Sequence, residues 1–163
     1  SFKDPIQMID HEPRFFLSDA EIEKLCEGLL DCSLEKSEWT HEAHLAATAA
    51  LLLRRPEIDL DLELPGIIRR FNESVGGVNS DTEGYHQTIT RVYLEGIRRF
   101  LEASTRERPL HRLVNDLLAS PVGRRDWPLR FYSRSRLFST EARRRLVSPD
   151  LAELPRRGMR PGE

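Results

Sequence analysis

The stretch THEAHLAATAALLLRR, residues 40–55, decides the fold. Alanine and leucine favour helix, and between its histidines and its arginines the stretch is apolar on nearly every side. A helix that is apolar all round lies in the interior, packed against other elements on all its faces. We therefore expect a central, buried helix that begins near Ser37 or Thr40 and ends at Arg55, just before Pro56.

Further helices are expected on both sides of this stretch, because apolar residues recur there at helical spacing. S-x-x-E patterns predict capping boxes, and prolines predict first helical turns. The acidic residues 57–63 are expected to form a loop, and no stretch alternates with the period of a strand. The expected helix starts are at Ser18, Pro65, Ser80, Pro109 and Ser139.

These elements predict one all-α domain, a single-domain helical bundle of about five or six helices. The chain has 163 residues and a mass of 18.9 kDa, which is the size of one ordinary domain. We expect the helical domain to span residues 1–150, with residues 1–17 irregular. Residues 151–163 are rich in proline and arginine, and we expect them to form a flexible tail.

The charge distribution and the cysteine content indicate which partners and which cellular compartment to expect. The net charge is −2, with 15 acids and 6 bases in residues 1–63 against 12 acids and 19 bases thereafter. This uneven division predicts that the two halves pack on each other, and we expect no nucleic-acid partner. No apolar run reaches the roughly 18 residues of a membrane span, so we expect no membrane partner. Cys26 and Cys32 are expected to be free thiols in a reducing compartment, the cytoplasm.

Three histidines form the candidate metal site. His41 and His44 are three residues apart, so a helix projects them from one face, which continues into the apolar core. His86 precedes Ile89 and Tyr93 on the buried stripe of a later helix. Facing helices of bundles build metal sites from inward side chains, and three imidazoles with an open position suit Zn, Fe, Cu or Mn. The sequence therefore predicts a divalent transition metal held by His41, His44 and His86.

Two functions follow from the two ways in which these histidines can be used. As ligands, they predict a metal-dependent enzyme that acts on a small polar or anionic molecule, with the metal as Lewis acid or as activator of water or dioxygen. As structural residues, they hydrogen-bond to their surroundings, and the protein is a non-catalytic module that binds a small ligand or a protein partner. Neither the catalytic residues nor the oligomeric state follow from the sequence.

A second cluster lies in RFYSRSRLFS, residues 130–139. Arginine forks bind carboxylate and phosphate groups well, so Arg130 and Arg134, with Tyr85, are the predicted substrate-binding residues. The alternative is that the arginines of this cluster form ion pairs with the acidic residues 57–63 of the first half.

Three blocks of the chain resemble a group of small, uncharacterised bacterial proteins that are helical. The blocks are W-T-H-x-x-H in residues 39–44, G-Y-H-x-T in residues 84–88 and Y-S-R-x-R-L in residues 132–137. The resemblance covers most of residues 38–155. It implies a bacterial, helical protein in which the three blocks belong together, and it brings no activity, because none is established for that group.

Overall fold

The computed structural model describes residues 13–105 and 107–154 of the chain. Within these two ranges it is entirely helical, which confirms the predicted all-α class. Five longer α-helices make up the bundle, and two short ones follow near the end of the described chain. The α-helices are α1 (Asp19–Leu30), α2 (His41–Arg54), α3 (Leu60–Ser74), α4 (Gln87–Glu102), α5 (Leu110–Ala119), α6 (Arg134–Leu137) and α7 (Thr140–Arg144), and the described 3₁₀ helices are Lys36–Glu38, Pro121–Gly123 and Trp127–Arg130.

Helix α2 lies at the centre of the bundle, as predicted. The Thr40 hydroxyl caps it by accepting the N–H of Ala43 at 3.1 Å. Its small residues Ala43, Ala46 and Ala47 are at most 1% exposed. Because they have short side chains, α1, α4 and α5 can all pack directly against this helix.

Helix α3 begins five residues earlier than predicted, at Leu60 rather than at Pro65. The Asp59 carboxylate accepts the N–H of Asp61 at 3.1 Å, and the Glu63 carboxylate accepts the N–H of Asp59 at 2.8 Å. Acidic side chains are favourable in the first turn of a helix because they oppose its dipole. The expected acidic loop is therefore wrong for residues 60–63, which form that first turn.

Helix α4 begins later than the sequence predicts. The Ser80 hydroxyl accepts the N–H groups of Thr82 and Glu83, at 3.3 and 3.2 Å, and so closes a turn within the preceding loop. The helix starts only at Gln87, and its N-cap is His86. The helix start predicted at Ser80 is wrong, because the hydrogen bonds of the Ser80 hydroxyl close this isolated turn instead of capping α4. The predicted caps at Ser18 and Ser139 are confirmed.

The acidic first half and the basic second half do pack on each other, as predicted. Arg98 donates to both carboxylate oxygens of Asp61, at 2.9 Å each, and Arg91 donates to one of them at 2.8 Å. At the other end of the bundle, the His111 ring lies 2.5 Å from the Asp19 carboxylate. Ion pairs therefore join α3 to α4, and the hydrogen bond between His111 and Asp19 joins α5 to α1.

The segment before α1 is irregular in residues 13–18, as predicted. Its backbone is bonded by side chains of two helices: Glu42 on α2 accepts the N–H of Arg14 at 3.5 Å, and Asn115 pairs with Phe16. Asn115 on α5 accepts the N–H of Phe16 and donates to its carbonyl, both at 2.8 Å. Residues 1–12 of the expected irregular segment and residues 155–163 of the expected tail lie outside the described residues. Within the described ranges, the helices fall short of the length and apolar character that a bilayer crossing requires.

Candidate functional site

His86 is a structural side chain with both ring nitrogens engaged. Nδ1 accepts the N–H of Ile89 at 3.1 Å and so caps α4, which places the ring proton on Nε2. Nε2 donates to the carbonyl of Leu137 at 2.8 Å. The ring is 1% exposed, and this burial, with the nearby Arg143 guanidinium contributing, lowers its pKa to about 4. His86 therefore joins α4 to α6.

His41 and His44 lie on the first turn of α2, and each bonds a backbone carbonyl. His41 Nε2 donates to the carbonyl of Gly123 at 2.8 Å, and its ring meets the edge of Tyr93 at 5.6 Å between centroids. His44 Nδ1 donates to the carbonyl of Thr40 at 2.7 Å, and burial holds its pKa well below 6.5. Its ring stacks on Trp39 at a centroid distance of 3.8 Å.

The structure does not bring the three histidines together as one ligand set. Across residues 13–105 and 107–154, no group of three or more histidine, cysteine, aspartate or glutamate side chains is placed to hold a metal ion. Convergence fails because His86, as the cap of α4, directs its ring toward Leu137, while His41 is directed toward Gly123. In the described structure the rings of His41, His44 and His86 are thus directed to separate backbone partners, and the metal site stays a prediction from the sequence.

The second and third sequence blocks are both tied to residues 143–147 by hydrogen bonds between side chains and backbone. The Thr88 hydroxyl donates to the carbonyl of Arg145 at 2.8 Å and accepts the N–H of Val147 at 3.2 Å. The Tyr132 hydroxyl, fully buried, donates to the carbonyl of Val147 at 2.6 Å. Arg143 donates to the carbonyl of Gly84 at 2.9 Å. These blocks fasten the last part of the described chain to the start of α4.

The predicted substrate-binding residues lie in different surroundings, and their function stays a prediction. Tyr85 is 3% exposed, its hydroxyl donates to Gln87 at 2.5 Å, and the guanidinium of Arg69 lies 4.5 Å from its ring centroid. Arg130 is exposed and covers the ring of Trp127 at 5.2 Å. Arg134 is exposed on the first turn of α6. The alternative pairing with residues 57–63 is made instead by the α4 arginines, since their side chains bond Asp61.

A cleft of about 600 Å³ lies between the end of α3, the loop before α4 and the 3₁₀ helix Lys36–Glu38. This volume lies within the roughly 300–1,000 Å³ of small-molecule sites. Its lining is part apolar and part polar, and glycine backbone forms one side of it. The apolar lining residues are Trp39, Phe71, Val75 and Val78, the polar ones are Lys36, Asn72, Thr82 and Glu83, and the glycines are Gly76, Gly77 and Gly84.

The wall of this cleft is fixed by asparagine hydrogen bonds. Asn79 accepts the N–H of Tyr85 at 3.0 Å and a side-chain bond from Asn72 at 3.2 Å. Asn79 also donates to the carbonyl of Arg69 at 3.2 Å. Gly84 has a φ of 79°, and a Cβ there would lie 2.3 Å from the carbonyl oxygen of Val78. The loop is therefore closed on itself and preformed.

Sequence reasoning missed this cleft because its lining comes from distant parts of the chain, and the two blocks that contribute Trp39 and Gly84 drew attention for their histidines. The signal that was available is the G-G-x-N-S stretch, residues 76–80, which marks a turn-rich loop directly after a helix. Binding and catalytic residues lie more often on such loops than in the interior of a helix.

Comparison with known proteins adds no relative. No protein-family model matches the chain, and neither the curated proteins nor the solved structures contain a match.

Proposed function

We propose that this protein is a non-catalytic module that binds a small molecule in the cleft between α3 and the loop before α4. The observation that carries the proposal is the preformed cleft of about 600 Å³, whose lining combines two aromatic side chains with a basic and an acidic one. The histidines of the sequence blocks, meanwhile, form hydrogen bonds with backbone carbonyls, and one of them caps a helix.

The lining indicates the chemical class of the ligand. The partly buried Val75 and the exposed Val78, beside Trp39, offer an apolar surface, which suits the ring of a ligand. Lys36 and Glu83 are exposed at the rim and carry opposite charges, so they suit a carboxylate and an ammonium group respectively. We expect a ligand with one ring and a charged group on a short arm.

The experiment is a fragment screen followed by ¹⁵N-resolved NMR titration. Four matched probes, toluene, phenylacetate, phenethylamine and L-phenylalanine, separate the contributions of ring, carboxylate and ammonium. We expect the charged probes to bind more tightly than toluene, with shifts confined to residues 71–84 and the Trp39 indole. A broad fragment library from which no compound shifts these signals would contradict the proposal.

A blocking variant and a matched control make the titration specific. Thr82 is an exposed cleft residue, so Thr82→Trp fills the cleft with an indole while the core stays unchanged. Leu62 is 79% exposed on α3 outside the cleft lining, so Leu62→Trp adds the same group elsewhere. Binding should be lost in the first variant and retained in the second.

The metal-dependent enzyme is the second candidate, and it stays a prediction from the sequence. With His86 engaged as a cap, the ligand set that the sequence proposed for Zn, Fe, Cu or Mn is reduced to His41 and His44 on one turn of α2. Metal analysis of protein purified without a histidine tag tests it directly.

A further inference from the structure

The peptide group between Gly84 and Tyr85 is held on both sides by side chains from different parts of the chain. Arg143 Nη1 on α7 donates to the carbonyl of Gly84 at 2.9 Å, and Asn79 Oδ1 accepts the N–H of Tyr85 at 3.0 Å. The same Asn79 oxygen accepts a hydrogen bond from Asn72 Nδ2 at 3.2 Å. One peptide group therefore lies within a chain of hydrogen bonds that runs from α3 through the loop to α7.

This peptide group belongs to the wall of the cleft. Gly84 lines the cleft, and so do Asn72 and Val78. A Cβ on Gly84 would lie 2.3 Å from the carbonyl oxygen of Val78 and 2.6 Å from Asn79 Oδ1, so the backbone of residue 84 is in close contact with both. Because packing this tight transmits displacements, a shift of the Gly84 backbone also moves the Val78 part of the wall.

Arg143 differs from the two arginines that follow it because it is buried. It is 8% exposed, whereas Arg144 and Arg145 are exposed. Burial lowers the pKa of Arg143 below the usual value for arginine, and the carboxylate of Glu83, another residue of the cleft lining, acts in the opposite direction. A buried guanidinium is costly unless it is hydrogen-bonded and paired. Two consecutive residues of the cleft wall, Glu83 and Gly84, therefore compensate for its burial.

We propose that Arg143 is a positioning residue of the cleft, through which the geometry of the cleft wall depends on the docking of α7. Among the described residues that line the cleft, none belongs to α7. The helix therefore acts on the cleft without contact with a ligand: when α7 moves away, the Gly84 carbonyl loses its donor and the wall loosens. The inference rests on the proposed function only in taking the cleft as a ligand site.

The test is amide hydrogen exchange, followed by NMR on ligand-free wild type and on Arg143→Met. Methionine keeps an unbranched side chain and removes the charge and the donors. The exchange rate of the Tyr85 N–H is divided by that of the Leu51 N–H in the core of α2, so that a general loss of stability cancels. We expect this ratio to rise about tenfold, as for the loss of one hydrogen bond to a charged group. An unchanged ratio would overturn the proposal.

Arg144→Met is the matched control. Arg144 lies on the same helix and forks onto Asp81 of the same loop, at 2.6 and 2.5 Å, but it is exposed and does not bond the Gly84–Tyr85 peptide. Exposed ion pairs contribute little, so the ratio should stay within about twofold of the wild type. Equal increases in the two variants would contradict the proposal, because the wall would then depend on the general attachment of α7.

A second measurement uses the wild type and so does not depend on whether Arg143→Met folds. NMR of the guanidinium groups should show hindered rotation about the Cζ–Nη bonds of Arg143, because this group is buried and hydrogen-bonded. The exposed Arg134 should rotate freely. Free rotation of the Arg143 guanidinium would also refute its positioning function.

A titration with L-phenylalanine distinguishes this inference from the proposed function. The net charge of this probe is zero, so the lost charge of Arg143 has little direct effect on it. If it binds the wild type, its Kd should rise about tenfold in Arg143→Met, because fewer molecules have the competent wall, and stay unchanged in Arg144→Met. Equal affinity of wild type and Arg143→Met would overturn the inference. If no probe binds the wild type, the proposed function fails, and the exchange ratio still decides whether Arg143 positions the wall.

Discussion

At residue 86 an imidazole occupies the position where serine, threonine, aspartate or asparagine usually caps a helix. The ring does more than a hydroxyl does, because its second nitrogen reaches the carbonyl of Leu137 on α6. A helix cap and a long-range hydrogen bond therefore depend on one side chain, which gives this histidine a structural function.

His86→Ala should lower the free energy of unfolding by about 3 kcal/mol, since it removes a cap and leaves the buried carbonyl of Leu137 unpaired. Urea unfolding measures the change. Arg134→Ala is the control, because this side chain is exposed on a short helix, and it should change stability by less than about 0.5 kcal/mol. If the two variants were equally stable, the structural function of His86 would be refuted.

Stability should also depend on pH through the buried rings. The pKa of His86 is lowered to about 4, and that of His44 lies well below 6.5, in both cases because burial disfavours the charged form. The unfolded chain takes up these protons near pH 6.5, so below this value it binds more protons than the folded chain. The stabilising contribution is complete above pH 6.5 and is lost as the pH falls toward 4.

For His86 the loss across this window is on the order of 3 kcal/mol. Urea titrations at a series of pH values should show stability falling between pH 6.5 and 4, and a shallower fall in His86→Gln. An unchanged slope in that variant would mean that other groups control the pH dependence.

At the scale of elements, α3 and α4 are joined by a charged clamp. Arg98 is 12% exposed and forks onto Asp61, while Arg91 and Glu95 complete the cluster. A forked, partly buried pair contributes more than an exposed one. We expect Asp61→Asn to cost about 1–2 kcal/mol, and more at low ionic strength.

The exposed pair Arg55–Glu57 is the matched control for this clamp. Glu57→Gln should change the free energy of unfolding by less than about 0.5 kcal/mol. Equal effects of the two substitutions, or an Asp61→Asn effect that grows with added salt, would be inconsistent with a partly buried clamp.

The segment before α1 depends on the Asn115 amide, which pairs with both backbone groups of Phe16. Asn115→Leu should release this segment, because a leucine keeps the volume and removes both hydrogen bonds. Limited trypsin digestion, with mass spectrometry of the fragment that begins at Phe15, should show faster cleavage after Arg14. Unchanged cleavage would mean that other contacts hold the segment.

Sequence patterns predicted the helices but not the hydrogen bonds that join their ends to distant parts of the chain. The apolar stretch of α2 and the caps at Ser18 and Ser139 were predictable, because they depend on neighbours in the sequence. The position of His86 on the buried stripe predicted a metal ligand. Its hydrogen bond with Leu137 was not predictable, because that residue lies 51 positions away and periodicity carries no information on such pairs. The cleft was missed for the same reason: distant elements form it.

At the scale of the whole molecule, metal content separates the two candidate functions. With His86 engaged as a cap, His86→Gln should carry the same metal content as the wild type after incubation with Zn, Cu, Fe and Mn in turn. Elemental analysis measures this. A wild type with about one metal per chain that His86→Gln loses would restore the three-histidine site and favour the enzyme.

The hydrogen bonds between the start of α4 and residues 132–147 also have a consequence for biosynthesis. A ribosome makes α4 well before it makes Leu137, Arg145 and Val147, which receive the side chains of His86 and Thr88. Until those residues have left the exit tunnel, the buried end of α4 has no partner for these groups. The nascent protein therefore completes this bundle only after residues 137–147 have emerged, and a product that is stalled or truncated before them leaves this end of the core open to water.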